Sequence, residues 1–268
     1  MLIPYAAGQR LKWMVTMKLN DYIGLVQVAR RRLRSEGDYR EFQTFQACLV
    51  LDYLAQHGVA VQGLVLDLGS GIAGYSLEFA RRGAHVISVD LVQPRFSSPD
   101  QMSQVQASGL AIPLQDESVN IVFCASLIEH VAEPATLLAE AERILRKGGM
   151  CYFSFPPYYS PMGGHEFSPF HYLGERLALR LVHRRRTLAD WAGQLYDVPH
   201  QVQSFSELYR GWGLYKMTIG KFRRLLGHTG FECLDMSTRY MPVSFVRWPL
   251  LGEIMTWHAQ FLHLKPQQ

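Results

Sequence analysis

Residues 64–82 read as strand, glycine turn and helix in immediate succession. Leu64-Val65-Leu66-Asp67-Leu68 is short and mostly aliphatic, the pattern of a strand buried on both faces of a parallel sheet. Gly69 to Gly74 follows and places G-x-G-x-x-G at Gly69, Gly71 and Gly74. Tyr75 to Arg82 has helical spacing with Leu77 and Ala80 inward, and Gly83 ends it. Glycine permits the tight turn and lets a ligand approach the backbone. The pattern alone is weak, but between a strand and a helix it points to a nucleotide-type ligand. Ala84 to Val89 reads as a second strand closed by Asp90, which lies 23 residues after Asp67. A carboxylate there can accept both hydroxyls of a ribose.

The same alternation continues along the chain. Residues 38–57 predict a helix with Phe42, Phe45, Leu49 and Tyr53 in one stripe, stopped at His57-Gly58. Residues 93–103, with Pro94, Pro99 and three serines, read as loop or frayed helix. Val119 to Ala125 is a third apolar run. Pro134 to Leu145 is a helix with proline at its start, ended by Lys147-Gly148-Gly149, and Met150 to Phe155 is the next strand. Residues 156–217 hold many aromatics and no aliphatic strand, as expected of an insertion over the strand ends. A helix (218–228), a strand (231–238) and an interior strand or buried helix (256–264) complete the chain. This order predicts an α/β fold with a doubly wound, mostly parallel sheet.

Composition narrows the function classes. At 48% hydrophobic and 19% charged the chain is globular, and 268 residues bury ample core without staples. The four cysteines, Cys48, Cys124, Cys151 and Cys233, lie far apart with no C-x-x-C pair, which argues against a disulfide framework or zinc ribbon. The longest stretch without Asp, Glu, Lys or Arg, Gly148 to His165, holds three prolines and four glycines and cannot be a spanning helix. Met1 to Gln9 lacks a basic region before its apolar residues, so a cytoplasmic chain is expected. Net charge is +3 over residues 1–63, −4 over 64–155 and +5 over 156–268. The only dense basic runs are Arg30-Arg31-Arg32 with Arg34, and Arg184-Arg185-Arg186. That is no nucleic-acid stripe, and at most a weak membrane-surface contact.

Five segments occur in order: Asp67-Leu68-Gly69-Ser70-Gly71, Asp90, Ile112-Pro113 with Asp116-Glu117-Ser118, Ile128-Glu129-His130-Val131, and Leu145-Arg146-Lys147-Gly148-Gly149. Together they resemble the class I S-adenosylmethionine-dependent methyltransferases of the small-molecule type, over about residues 38–155 and more loosely 218–265. The resemblance implies a Rossmann-like, seven-stranded sheet with a final antiparallel strand. It implies a helical N-terminal cap (1–60), a cofactor-binding half (61–155), an acceptor-covering insertion (156–217) and a C-terminal part completing the sheet (218–268). It implies S-adenosylmethionine as cofactor, with Gly69, Ser70, Gly71 and Gly74 near its methionine part and Asp67 positioning its ammonium. Asp90 would hold the ribose hydroxyls, Leu91 would cover the adenine, and Ala125 and Ser126 would follow the strand beside it. Where the family often has an acidic adenine contact this chain reads Ser108-Gly109, with a hydroxyl in that place.

A sulfonium methyl is already activated, so alignment of donor and acceptor is the main task, and a general base serves only an acceptor that must lose a proton. The candidate bases are Glu129, His130 and His165, the last in a loop whose Gly163-Gly164 suggests freedom of movement. No metal is required, and no His-x-x-x-His pair occurs. Tyr158, Tyr159, Phe167, Phe170 and Tyr172 suggest an apolar or ring-bearing small-molecule acceptor, or simply a packed lid. Oxygen is the accepting atom expected on the resemblance. The rival readings are an NAD(P)-dependent oxidoreductase, which here lacks a Tyr-x-x-x-Lys pair, and a non-catalytic binding module.

Overall fold

The computed structural model describes residues 17–92, 98–183, 204–207 and 213–267. Two helices, α1 (Leu19–Arg31) and α2 (Glu36–Gln56), precede β1 (Leu64–Leu68), α3 (Gly74–Arg81), β2 (His85–Asp90), β3 (Met102–Gln106) and β4 (Val119–Ala125). Then come α4 (Pro134–Ile144), β5 (Leu145–Phe155), α5 (Glu175–His183), α6 (Ile219–Leu226), β6 (Glu232–Arg239), α7 (Leu251–Met255) and β7 (His258–Leu264). The seven strands form one sheet in the order β3-β2-β1-β4-β5-β7-β6. Strands β1 to β5 are parallel, and β7 runs antiparallel to both β5 and β6.

The aliphatic strands are buried on both faces, as their composition requires. Leu66, Leu68, Val122, Cys124, Phe153 and Phe155 meet α4 and α6 through Leu137, Ile144 and Phe222 on one side. Val65, Ile121, Phe123 and Tyr152 meet α2 and α3 through Ala47, Val50 and Phe79 on the other. Alternate residues of one strand thus enter opposite cores.

Several local expectations are corrected. Helix α2 turns Ala47, Val50, Tyr53 and Leu54 inward, while Phe42, Phe45 and Leu49 stay half-buried. Phe45 instead covers Gly24 of α1, where a Cβ would come within 2.7 Å of its ring. In α3 the inward anchor is Phe79, and Leu77 is half-buried. Residues 93–103, expected as loop or frayed helix, end inside the edge strand β3 (Met102–Gln106), which needs few apolar residues because it pairs on one side only. Lys147-Gly148-Gly149 lies within β5, whose early start is accommodated by an irregular register against β4 between Val119 and Ile121. Trp257 falls outside β7 and is half exposed.

Among the described residues no helix is long and apolar enough to cross a membrane. Arg31 pairs with Glu41 at 2.7 Å and Arg32 lies over the Phe42 ring, so this basic run is tied to α2. Arg184-Arg185-Arg186 lies outside the described residues. All four cysteines are free thiols.

Candidate functional site

The C-terminal ends of β1, β2, β4 and β5 share one edge of the sheet, and the glycine turn, Asp90, the 125–130 segment and the loop after Phe155 all leave from it. This is where open α/β sheets bind ligands.

The turn after β1 needs its glycines for different reasons. Gly69 and Gly71 adopt φ of +75° and +54°, the left-handed region where a side chain strains the backbone. Gly74 instead packs against α2, where a Cβ would stand 2.4 Å from Gln43 Cβ and 2.9 Å from the Arg40 carbonyl. Its N–H donates to Gln43 Oε1 at 3.0 Å. The Gly71 N–H donates to Asp90 Oδ2 at 2.8 Å, and the Val92 N–H to Asp90 Oδ1 at 3.0 Å. Burial raises the Asp90 pKa, and these backbone donors work against the rise. Ser70 is buried and its hydroxyl accepts from Ser88 at 2.7 Å. Leu91, beside Asp90, is 40% exposed.

Asp67 is buried at the end of β1 and accepts a hydrogen bond from Ser76 Oγ at 2.5 Å. Burial lifts its pKa to about 7; the Ser76 bond opposes the rise and the neighbouring Asp90 adds to it. Ser108 Oγ accepts from the Leu110 N–H at 3.2 Å, and Gly109 leaves no room for a Cβ beside Leu137, at 2.8 Å. Ala125 is half-buried. Ser126 is exposed at φ +55°, donates its N–H to the Ser154 carbonyl at 2.7 Å, and has its Oγ 3.1 Å from His258 Nε2.

The fold brings Glu129, His130 and His165 to one point. Glu129 and His130 lie on a 3₁₀ turn (Ile128–His130) just past β4, and His165 begins another (His165–Phe167) in the loop after β5. His165 Nε2 is 3.5 Å from Glu129 Oε1, and His130 Nε2 is 4.0 Å from the same oxygen. The imidazole rings stand edge to face at 4.6 Å. Glu129 and His130 are 2% and 5% exposed; His165, at 22%, is the most exposed of the three, although its Nε2 is buried. Burial first, and the His165 charge second, lower the His130 pKa well below the histidine range.

The segment at Gly213–Tyr215 holds this cluster in place. The Tyr215 N–H donates to the Glu129 carbonyl at 2.7 Å, and His130 Nδ1 meets the Gly213 carbonyl at 2.8 Å. Gly163 and Gly164 do not provide the expected freedom. Cβ atoms there would stand 2.1 Å from the Pro157 carbonyl and 2.2 Å from the His171 ring, so the loop is a close-packed turn aimed at His165. The aromatics of the 158–172 segment divide. Phe167 is buried against Phe205 at 4.6 Å, while Tyr159 and Tyr172 are 37% and 48% exposed.

Ser76, Gly213, Arg239 and His258 were not singled out from the sequence. Arg239 is buried at the same edge, donating to Tyr75 Oη at 2.8 Å, and faces His258 across the β6–β7 pairing. Burial and the nearby Arg239 charge lower the His258 pKa well below its usual value. A lone Arg at one strand end and a lone His at another carry no sequence signal; only their register unites them.

Residues 66–153 match the profile of a family described as a methyltransferase domain. An uncharacterized methyltransferase of Mycobacterium leprae is 34% identical over 172 residues, 60% of this chain and 64% of its own length. One of Mycobacterium ulcerans is 37% identical over 153 residues, 52% of this chain and 58% of that protein. The chain thus matches slightly less than two thirds of the length of such relatives. Among solved structures, an S-adenosylmethionine-dependent methyltransferase of Clostridium acetobutylicum gives a TM-score of 0.54 at 12% identity, over 91% of this chain and 99% of that one. Another from Mesorhizobium loti gives 0.53 at 20% identity, over 79% and 95%. At such identities the likeness is one of fold.

Proposed function

We propose that this chain, whose residues 66–153 match a methyltransferase-domain family, is a class I S-adenosylmethionine-dependent enzyme that moves a methyl group from that cofactor to a small-molecule acceptor, at oxygen. The observation that carries the reading is the joining of the glycine turn to Asp90 through the Gly71 amide, inside a matching domain.

The residues present fit the cofactor. Each Asp90 oxygen accepts a backbone N–H, and the carboxylate, with about four acceptor positions, has capacity left for a ribose hydroxyl. Asp67, with a pKa near 7, is a carboxyl that an arriving ammonium ionises. Gly69, Ser70 and Gly71 present backbone rather than bulk to the methionine part. Leu91 offers an exposed apolar surface to the adenine, and Ser108 and Gly109 shape its far edge. Gly74 packs the turn against α2, and Ala125 and Ser126 end and follow β4 beside it. The bound cofactor supplies a methyl on a positive sulfur, already activated for displacement.

What remains for the chain is alignment and, for a hydroxyl acceptor, removal of a proton. Glu129, His130 and His165 lie together past the ends of β4 and β5, and His165, the most exposed of them, is the member assigned to the acceptor. Tyr159 and Tyr172 offer exposed rings in the 158–172 segment, which suits a ring-bearing or apolar acceptor.

Calorimetry with S-adenosylmethionine, S-adenosylhomocysteine and NAD, followed by transfer of labelled methyl to an acceptor panel, tests this. Binding of the first two and not the third, with label on a hydroxyl-bearing acceptor, is expected. NAD binding alone would overturn the cofactor assignment, and cofactor binding with no labelled product would leave a binding module.

A further inference from the structure

We propose that Glu129, His130 and His165 are the protein ligands of a divalent transition-metal ion of the zinc class, with a coordination position left open on the acceptor side. Their ligand atoms all lie within 4.8 Å of one another, the one such group among the described residues.

Three features favour a cation over a plain cluster. Glu129 is 2% exposed, and neither of its carboxylate oxygens accepts a hydrogen bond. A carboxylate removed from water in that condition is strongly unfavourable unless it is paired or coordinates a metal. His130 supplies the second feature. A carbonyl only accepts, so the Nδ1–H of His130 must donate to Gly213, and the neutral ring carries its lone pair on Nε2, toward the Glu129 side. That is how metal-binding histidines are oriented, with the far nitrogen fixed by a backbone carbonyl. The third is how His165 is delivered. Its φ is +48°, and Gly163 and Gly164 before it pack where any Cβ would collide. Backbone this constrained fixes one side chain at one place.

The spacing suits a small ion. Bonds of about 2.0–2.1 Å in tetrahedral directions set ligand atoms roughly 3.3 Å apart. The two distances to Glu129 Oε1 are 3.5 Å and 4.0 Å, and all three ligand atoms lie within 4.8 Å of one another, so contraction by at most about 1.5 Å closes the site. Two imidazoles and one carboxylate select zinc-like ions over magnesium or calcium, which favour all-oxygen shells. Three protein ligands leave a fourth position, the arrangement of catalytic rather than structural sites. An acceptor hydroxyl bound there would ionise near neutral pH, its proton passing to solvent. This last role rests on the methyl-transfer reading; the binding of the ion does not. Sequence spacing conceals the site because Glu129 and His130 are adjacent and the third ligand comes from another loop.

The test is titration of chelator-treated, full-length protein with Co(II) and Zn(II), read by the visible absorption of four-coordinate Co(II) and by competition with a zinc indicator. One ion per chain is expected. His165→Ala and Glu129→Gln should each weaken it by at least the roughly 10–100-fold that loss of a supporting partner alone costs. Cys233→Ser removes an exposed thiol and should change nothing. Cofactor calorimetry on every variant separates ligand loss from misfolding. No uptake by the wild type, or equal uptake by His165→Ala with cofactor binding intact, overturns the site. Uptake with no transfer to any acceptor keeps the site and refutes the methyl-transfer reading instead. Transfer that a chelator abolishes while cofactor affinity holds supports both.

Discussion

The backbone N–H of Gly71 donates to Oδ2 of Asp90 at 2.8 Å, across 19 residues of chain, so the glycine turn and the end of β2 form one unit. The opposite oxygen takes the Val92 N–H at 3.0 Å. Asp90 therefore shapes the loop as well as offering its carboxylate to a ligand. In Asp90→Asn one side must present an amide NH₂ to a backbone donor, and the charge is gone. Charge-assisted bonds of this kind contribute roughly 1.5–3 kcal/mol each. Affinity for S-adenosylmethionine should fall by about one to two decades, and for S-adenosylhomocysteine equally, since the ribose is common to both. Calorimetry with both ligands checks this; a loss confined to one removes the ribose role.

Gly71 and Gly74 belong to one sequence pattern but answer to different neighbours. A Cβ at Gly74 meets the Gln43 Cβ at 2.4 Å and the Arg40 carbonyl at 2.9 Å, and α2 must move aside. Gly74→Ala should therefore destabilise the fold by about 1–3 kcal/mol, the usual range for overpacking. Gly71→Val places a side chain at φ +54° where the ligand approaches, so cofactor affinity should drop more than about tenfold. Thermal melts and calorimetry on the two variants should separate, the first losing mainly Tm and the second mainly affinity. If both lose only Tm, the turn carries packing and no ligand.

His165 tests the acceptor side. Whether it takes a proton or holds an ion, His165→Ala should leave cofactor affinity unchanged and reduce turnover by roughly 10²–10⁴-fold. His130→Ala should also lower Tm, because the Gly213 carbonyl loses its 2.8 Å partner. Single-turnover rates, calorimetry and melts on both variants decide the matter. Full activity in both would mean that alignment alone suffices for the acceptor.

Sheet topology and the cofactor edge were legible because they depend on local patterns. The aliphatic run at Leu64–Leu68, the glycines after it and the acid at Asp90 each announce themselves within a few residues. Strand β3 was not legible, since an edge strand needs little apolar surface. The meeting of Glu129, His130 and His165 was not legible either. It depends on where the chain after β5 places His165, and two of its fixing contacts are backbone atoms of Gly213 and Tyr215, which leave no side-chain signal. Gly163-Gly164 illustrates the limit of composition: a glycine pair fits a hinge and a close-packed turn equally, and only its neighbours decide.

Asp67 ties the cofactor cradle to pH. Its folded pKa of about 7 lies above the roughly 3.9 of a free aspartate, so the folded protein binds this proton more tightly than the unfolded chain. Stability from this group is therefore greatest below about pH 4, declines as pH rises from there, and levels off above the folded value near 7. A bound ammonium reverses the preference by favouring the carboxylate. Between pH 5.5 and about 7, affinity for S-adenosylmethionine should rise by up to roughly tenfold per unit. Binding should release close to one proton near pH 6 and about half a proton near pH 7. Calorimetry in buffers of different ionisation enthalpy counts that proton directly. In Asp67→Asn the count should fall to zero and the melting temperature should lose this pH dependence. Proton release that persists in Asp67→Asn would assign it to another group and detach Asp67 from the ammonium.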